Sequence, residues 1–185
     1  MIAPDASLID MAFAASTVLE RAGLTAVLCG GSAATYYAPD AYMSADADFV
    51  LRFDVSRREL SPILAQIGFR ESGRIYVHDA VTWTLDFPAG PLSVGRDLIT
   101  SWETVQRGDQ VLHVVSPTDC VRYRFMHYFA WNDYSGLVQA VAVAKTQRKF
   151  VDLNLFRTWA ADEIAHNSTY DERRVKRFFR ELKRS

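Results

Sequence analysis

The stretch CGGSAATYYAPDAYMSADADFVL, residues 29–51, departs from the pattern of a generic soluble chain. It follows directly on TAVLC (25–29), a short apolar run that reads as a buried strand. Gly30 and Gly31 then mark a turn, and SAATYYA has helix-forming residues up to Pro39. Such a turn brings bare backbone N–H groups close to whatever sits there, and the helix beyond Ser32 adds the positive end of its dipole, so an anion such as phosphate is favoured. No Gly-Lys-Ser/Thr follows and G-x-G-x-x-G is absent, so this is neither a Walker A loop nor a dinucleotide fingerprint. Taken alone, two glycines between a strand and a helix are more often only a tight turn.

Fourteen residues after Ser32 a strand begins, DADFVLRF. Its alternation puts Asp46, Asp48, Val50 and Arg52 on one side, and Ala47, Phe49, Leu51 and Phe53 on the other. The two carboxylates then project from one face roughly 6–7 Å apart. Side by side they repel, and a divalent cation cancels that cost. An isolated pair of this kind also fits a solvated strand end. Asp86 adds weight, because it sits on the polar face of a separate strand, AVTWTLDFP, inside an otherwise apolar run. If that strand neighbours the first, three carboxylates converge. Asp79 and Asp97 compete for the third position and read as loop residues.

Outward from this core the pattern is mixed. Leu8, Met11, Ala12, Ala15, Val18, Leu19 and Ala22 give a helix over 6–22, capped by Asp5 or Ser7 and closed by Gly23. A helix over 56–68, strands in FRESGRIYVH and AVTWTLDFP, and a last strand at QVLHVVS (110–116) follow. Ser116 and Pro117 then open a helical run of roughly 117–130, 133–147, 152–164 and 170–183, with Asn132, Asp152 and Ser168 or Thr169 as caps. The expected architecture is an α+β fold, with residues 1–115 as an α+β domain and 116–185 as a helical bundle packed on it.

Composition narrows the classes. A 185-residue chain with 49% hydrophobic residues can bury a core, and a net charge of −1 does not fit a surface that is basic throughout. Cys29 and Cys120 form neither a disulfide framework nor a zinc spacing, and read as buried free thiols of a reducing compartment. His78, His113, His127 and His166 show no ligand spacing, and Ser32 lacks a His/Asp partner pattern for hydrolysis. Residues 1–16 carry acids where a secretory leader has Lys or Arg, and no apolar run reaches membrane length, so a cytoplasmic protein is expected.

The motif GGSAATYYAPDAYMSADADFVL resembles the signature of the nucleotidyltransferase superfamily, with its polymerase-beta-like fold. In that signature a Gly-Gly/Ser turn precedes a [D/E]-x-[D/E] pair, and a later strand gives a third acid. The similarity is greatest to small prokaryotic members related to abortive-infection toxins, and SPTDCVRYRF, WND, QAVAVAK and VDL are similar to the helical half of that branch. The resemblance implies a mixed sheet flanked by helices. It also implies Gly30, Gly31, Ser32 and Ser44 for the nucleotide's phosphates, and Asp46, Asp48 and Asp86 for two Mg²⁺ or Mn²⁺ ions, Asp86 serving as base or positioning the acceptor. Tyr42 stands where relatives often carry arginine, and Tyr123 where they often carry an acid.

The expected reaction is attack of an acceptor hydroxyl on the α-phosphorus of an NTP, with release of pyrophosphate. Lys145, Arg148, Lys149 and Arg74 (on one strand face with Tyr76 and His78) are candidates for phosphate contacts. The acceptor is left open among RNA or tRNA, a protein and a small molecule, and seven Lys or Arg on the last helix are a feature that would guide RNA, tRNA or an acidic partner. The alternative is a catalytically degenerate binding protein on the same fold, acting as an antitoxin-type or regulatory partner.

Overall fold

Ser7 starts the first helix, α1 (Leu8–Arg21), by a capping box: its hydroxyl accepts from the Asp10 N–H and Asp10 returns the bond to the Ser7 N–H. The computed structural model describes residues 2–184. Eight further elements follow to the middle of the chain: β1 (Ala26–Cys29), α2 (Gly30–Tyr37), β2 (Asp46–Leu51), α3 (Arg57–Ala65), β3 (Arg70–Ser72), β4 (Ile75–His78), β5 (Val81–Asp86) and β6 (Ser93–Val94). The remainder is β7 (Asp97–Leu98), β8 (Glu103–Arg107), β9 (Gln110–Val114), α4 (Pro117–Trp131), α5 (Tyr134–Thr146), α6 (Leu153–His166) and α7 (Glu172–Lys183).

Seven strands form one mixed sheet in the order β3-β4-β5-β2-β1-β9-β8, and β6 and β7 pair as a small separate hairpin. β1 is buried along its whole length, and its neighbours are antiparallel β2 and parallel β9. On β2, Ala47 and Phe49 are fully buried, so the expected alternation sets the face. Val50 departs from it: it shares the aspartates' face but is buried. Within β2, therefore, Asp46 and Asp48 are the accessible positions of that face, and Arg52 is exposed just past the strand's end.

Several local expectations change. FRESGRIYVH is a hairpin and not one strand, because Gly73 takes a left-handed φ of 64° and turns the chain. Arg74 therefore lies in a turn, its carbonyl held by Arg57, and shares no strand face with Tyr76 and His78. β8 went unread because only one of its five residues is even partly buried. Asn132 ends α4 in the left-handed conformation instead of opening α5, which Asp133 caps; Asp171, not Ser168 or Thr169, caps α7. Ser116 caps α4 with Pro117 in its first turn, as the sequence indicated.

The C-terminal helices share an aromatic core. Phe125 lies 5.0 Å from Phe156, 5.1 Å from Phe129 and 5.6 Å from Phe178, joining α4 to α6 and α7. Packing of α4 and α5 against α2 joins these helices to the start of the sheet. Among the described residues no helix is long and apolar enough to cross a membrane.

Candidate active site

Strand register brings the sequence-derived acids together. β2 and β5 run parallel, with Asp48 opposite Asp86 and Asp46 opposite Thr84. Directly paired residues of neighbouring strands, about 4.8 Å apart, point to the same face. Antiparallel β1 places Cys29 opposite Asp48, so Cys29, Asp48 and Asp86 form one row across three strands. The rival acids are engaged elsewhere: Asp79 pairs with Arg70 at an exposed edge, and Asp97 with Arg122.

The glycine corner sits against this row. Helix α2 begins at Gly30 itself, two residues earlier than the sequence indicated. Gly30 has φ 62°, and a Cβ there would lie 2.4 Å from the Asp48 carboxylate oxygen Oδ2. The Gly31 N–H donates to the Asp48 carboxylate. An anion does occupy the N-terminus of α2, and it is the side chain of Asp48. Gly30→Ala forces both a left-handed alanine and a clash, costing on the order of 1–3 kcal/mol. It is expected to lower the melting temperature, read by thermal denaturation.

Both candidate serines turn inward. Ser32 is fully buried; its hydroxyl donates to the Cys29 carbonyl (2.8 Å) and accepts from the Asp48 N–H (3.1 Å). Ser44 donates to Asp46 Oδ1 at 3.0 Å, and its own N–H is accepted by Thr35. As placed, these hydroxyls orient the two aspartates. Tyr42 and Ser44 fill the space over Gly31, at 3.3 and 3.1 Å from where a Cβ would stand.

Burial, then the neighbouring Asp46 and Asp86 carboxylates, push the Asp48 carboxyl up to about 7. Arg124 and the Gly31 N–H oppose that rise. Arg124 is a residue the sequence reading missed. It is 93% buried on α4, its Nε has no partner, and its charge reaches Asp48, Cys29 and Tyr123. Arg122, two positions earlier, is equally buried but paired with Asp119 (2.8 Å) and Asp97. The available signal was two arginines within the apolar helical run CVRYRF, since a charge there needs a partner. Tyr123 closes the same side: its hydroxyl and the Cys29 thiol are near enough that each shifts the other's titration. Its ring lines a cavity of about 280 Å³ between the β6–β7 hairpin and α4, shared with Met126, His127, Trp131 and Tyr170.

The donor set suits a hard divalent cation: three carboxylates on adjacent strands, one of them destabilised as an anion. Among the described residues, however, no three His, Cys, Asp or Glu side chains converge closely enough to hold an ion as they stand. Each carboxylate is turned to a donor of the protein: Asp46 to Ser44, Asp48 to Gly31 and Asp86 to the Phe87 N–H at 2.8 Å.

No family model matches the chain, and no curated protein matches it by sequence. Among solved structures, it is similar to an antigenic nucleotidyltransferase-like protein from Paracoccidioides brasiliensis, with a TM-score of 0.52 and 14% identity over 74% of this chain and 77% of that one. A further match is the antibiotic-resistance factor ANT(2'')-Ia, with a TM-score of 0.47 and 17% identity, covering 86% of this chain and 95% of that one. The chain has a nucleotidyltransferase-like fold.

Proposed function

We propose that this chain, built on a nucleotidyltransferase-like fold, is a metal-dependent nucleotidyltransferase that moves a nucleoside monophosphate from an NTP to an acceptor hydroxyl. The observation that carries the reading is the register of Asp46, Asp48 and Asp86 across β2 and β5, beside the N-terminus of α2. In the step, the acceptor oxygen bonds to the α-phosphorus, the bond from that phosphorus to the bridging oxygen breaks, and pyrophosphate leaves. Asp86, which stands on β5 apart from the two acids of β2, takes the hydroxyl proton. Asp46, Asp48 and Asp86 would hold the divalent ions, which would supply charge neutralisation on the phosphates. Ser44 bonds the Asp46 carboxylate and Ser32 the Asp48 N–H, so the two hydroxyls anchor the segment of β2 that carries both acids. The cavity beside Tyr123 offers a planar nucleoside aromatic and apolar walls.

Arg124 places a cation next to the acids without spending its Nε inside the protein. Arg124→Met keeps most of the buried volume, and is expected to lower transfer at least about 100-fold while circular dichroism stays native. Unchanged turnover in a folded variant would remove Arg124 from the site.

The direct test pairs calorimetric titration of Mg²⁺ and a non-hydrolysable NTP with transfer from α- and γ-labelled NTP. The reading expects α-label alone in the product and loss of both binding and transfer in Asp48→Asn and Asp86→Asn. Equal Mg–NTP binding by those variants and the parent would overturn it. One observation favours a second reading, a binding protein that has lost the chemistry: Tyr42 and Ser44 already occupy the space over Gly31. A stable macromolecular partner with no turnover under any divalent metal would select that alternative.

A further inference from the structure

The charge of this chain is divided along its length. Residues 1–144 hold ten Lys and Arg against sixteen Asp and Glu, a net of −6, whereas residues 145–184 hold eleven against six, a net of +5. The basic part is concentrated where α5, α6 and α7 meet. There a cavity of about 500 Å³ is lined by Lys145, Arg148, Arg157 and Lys183 around Phe179, with no carboxylate in its wall. All four cations are exposed. Two are fixed in place: the Arg157 guanidinium lies 4.3 Å over the Phe179 ring, and the Lys145 Nζ donates to the Arg184 carbonyl at the end of α7. Beyond the rim of this groove, Arg148 and Lys149 lead along the chain to Phe150, which is 71% exposed and lines a neighbouring cavity with Tyr36, Tyr37 and Glu103.

We infer that this groove binds single-stranded nucleic acid, the cations following the phosphates and Phe150, in the cavity next to the groove, stacking on a base. A groove for an acidic protein needs the cations but no free aromatic face, and a duplex offers no unstacked base to Phe150. The groove is distinct from the acid row. Gln147, which ends α5, donates to the carbonyl of Tyr37, the last residue of α2, while Gly30 at the acid row is the first. Eight helical residues separate these ends by roughly 12 Å, about four stacked nucleotides at roughly 3.4 Å each. If the transferase reading holds, a strand bound in the groove is the acceptor whose terminal hydroxyl is offered to the acids; that link alone rests on the proposed function.

The test is fluorescence anisotropy with a labelled oligouridylate of about sixteen nucleotides, titrated between about 50 and 200 mM salt. Four cations predict a log–log salt slope near −3, at roughly −0.7 per phosphate neutralised on a single strand. The double variant Arg148→Glu/Lys183→Glu is expected to bind at least about tenfold more weakly, with a shallower slope. Phe150→Ala is expected to weaken binding about 5- to 100-fold at every salt concentration while leaving the slope unchanged. Arg58→Glu, an exposed cation of the acidic part, serves as the control. The inference is overturned by an absence of binding at low salt, by a loss in the groove variants no larger than in the control, by tighter binding of a duplex, or by equal binding of polyglutamate. Asp48→Asn is expected to bind the oligonucleotide as the parent does, so failure of the groove and failure of the transferase reading are read separately.

Discussion

Asp48→Asn is expected to lower α-label transfer by at least about 10³-fold and, in metal-free buffer, to raise stability above pH 7. The two effects have one cause. Burial and two neighbouring carboxylates lift the Asp48 carboxyl from an ordinary 3.8 to about 7 in the folded chain. A folded state that binds the proton more tightly than the unfolded one is favoured at low pH. The advantage is complete below about pH 4 and is lost as the pH rises through 7. About three pH units at 1.36 kcal/mol each amount to roughly 4 kcal/mol. For a chain of this size that corresponds to a melting temperature about 10 °C lower at pH 8 than at pH 4, apart from what other groups contribute. Asparagine cannot ionise, so the variant's melting curve should lose this slope, and Mg²⁺ should stabilise the parent at pH 8 but not the variant. A variant with the parent's pH slope would show that Asp48 is not the strained carboxylate.

Phe125→Ala is expected to cost about 3–5 kcal/mol, a fall in melting temperature of roughly 10–15 °C. The ring is fully buried and holds α4 against α6 and α7, so its removal leaves a cavity bounded by other aromatic rings that cannot collapse into it. Phe125→Leu, which refills most of that space, should recover much of the loss. We propose that residues 116–185 form a unit packed on residues 1–115; α4 and α5 lie on α2, so both parts should melt in one transition. Differential scanning calorimetry resolves this, and a separate low-temperature transition in Phe125→Ala would show the helices to be an independent folding unit.

Elements whose pattern is set by burial were readable from the chain alone. α1, β1, the buried side of β2 and the Ser116-Pro117 helix start follow from apolar period and cap chemistry, and their bounds shift by only a few residues. β8 was not readable, because an edge strand whose residues face water carries no apolar alternation. The turn at Gly73 hid inside a β-rich run because a two-residue hairpin needs little more than one left-handed glycine. In the site, the three aspartates were legible as residue types, but the use of Ser32 and Ser44 was not. A hydroxyl serves a phosphate or a neighbouring N–H equally well, and only the fold places it. Arg124 was hidden for the opposite reason: helical period marks which residues are inside, not which of them lack a partner.

Cys29 and Cys120 are free and fully enclosed, and burial pushes both thiols well above their usual range, Cys120 to about 12. Alkylating reagents attack thiolate, so the native chain should resist iodoacetamide. Modification of Cys29 requires α4 to lift from the end of β1, since Tyr123 covers the sulfur there. The chain thereby carries its own chemical clock for the opening of that seam, and a ligand that braces the seam should slow it.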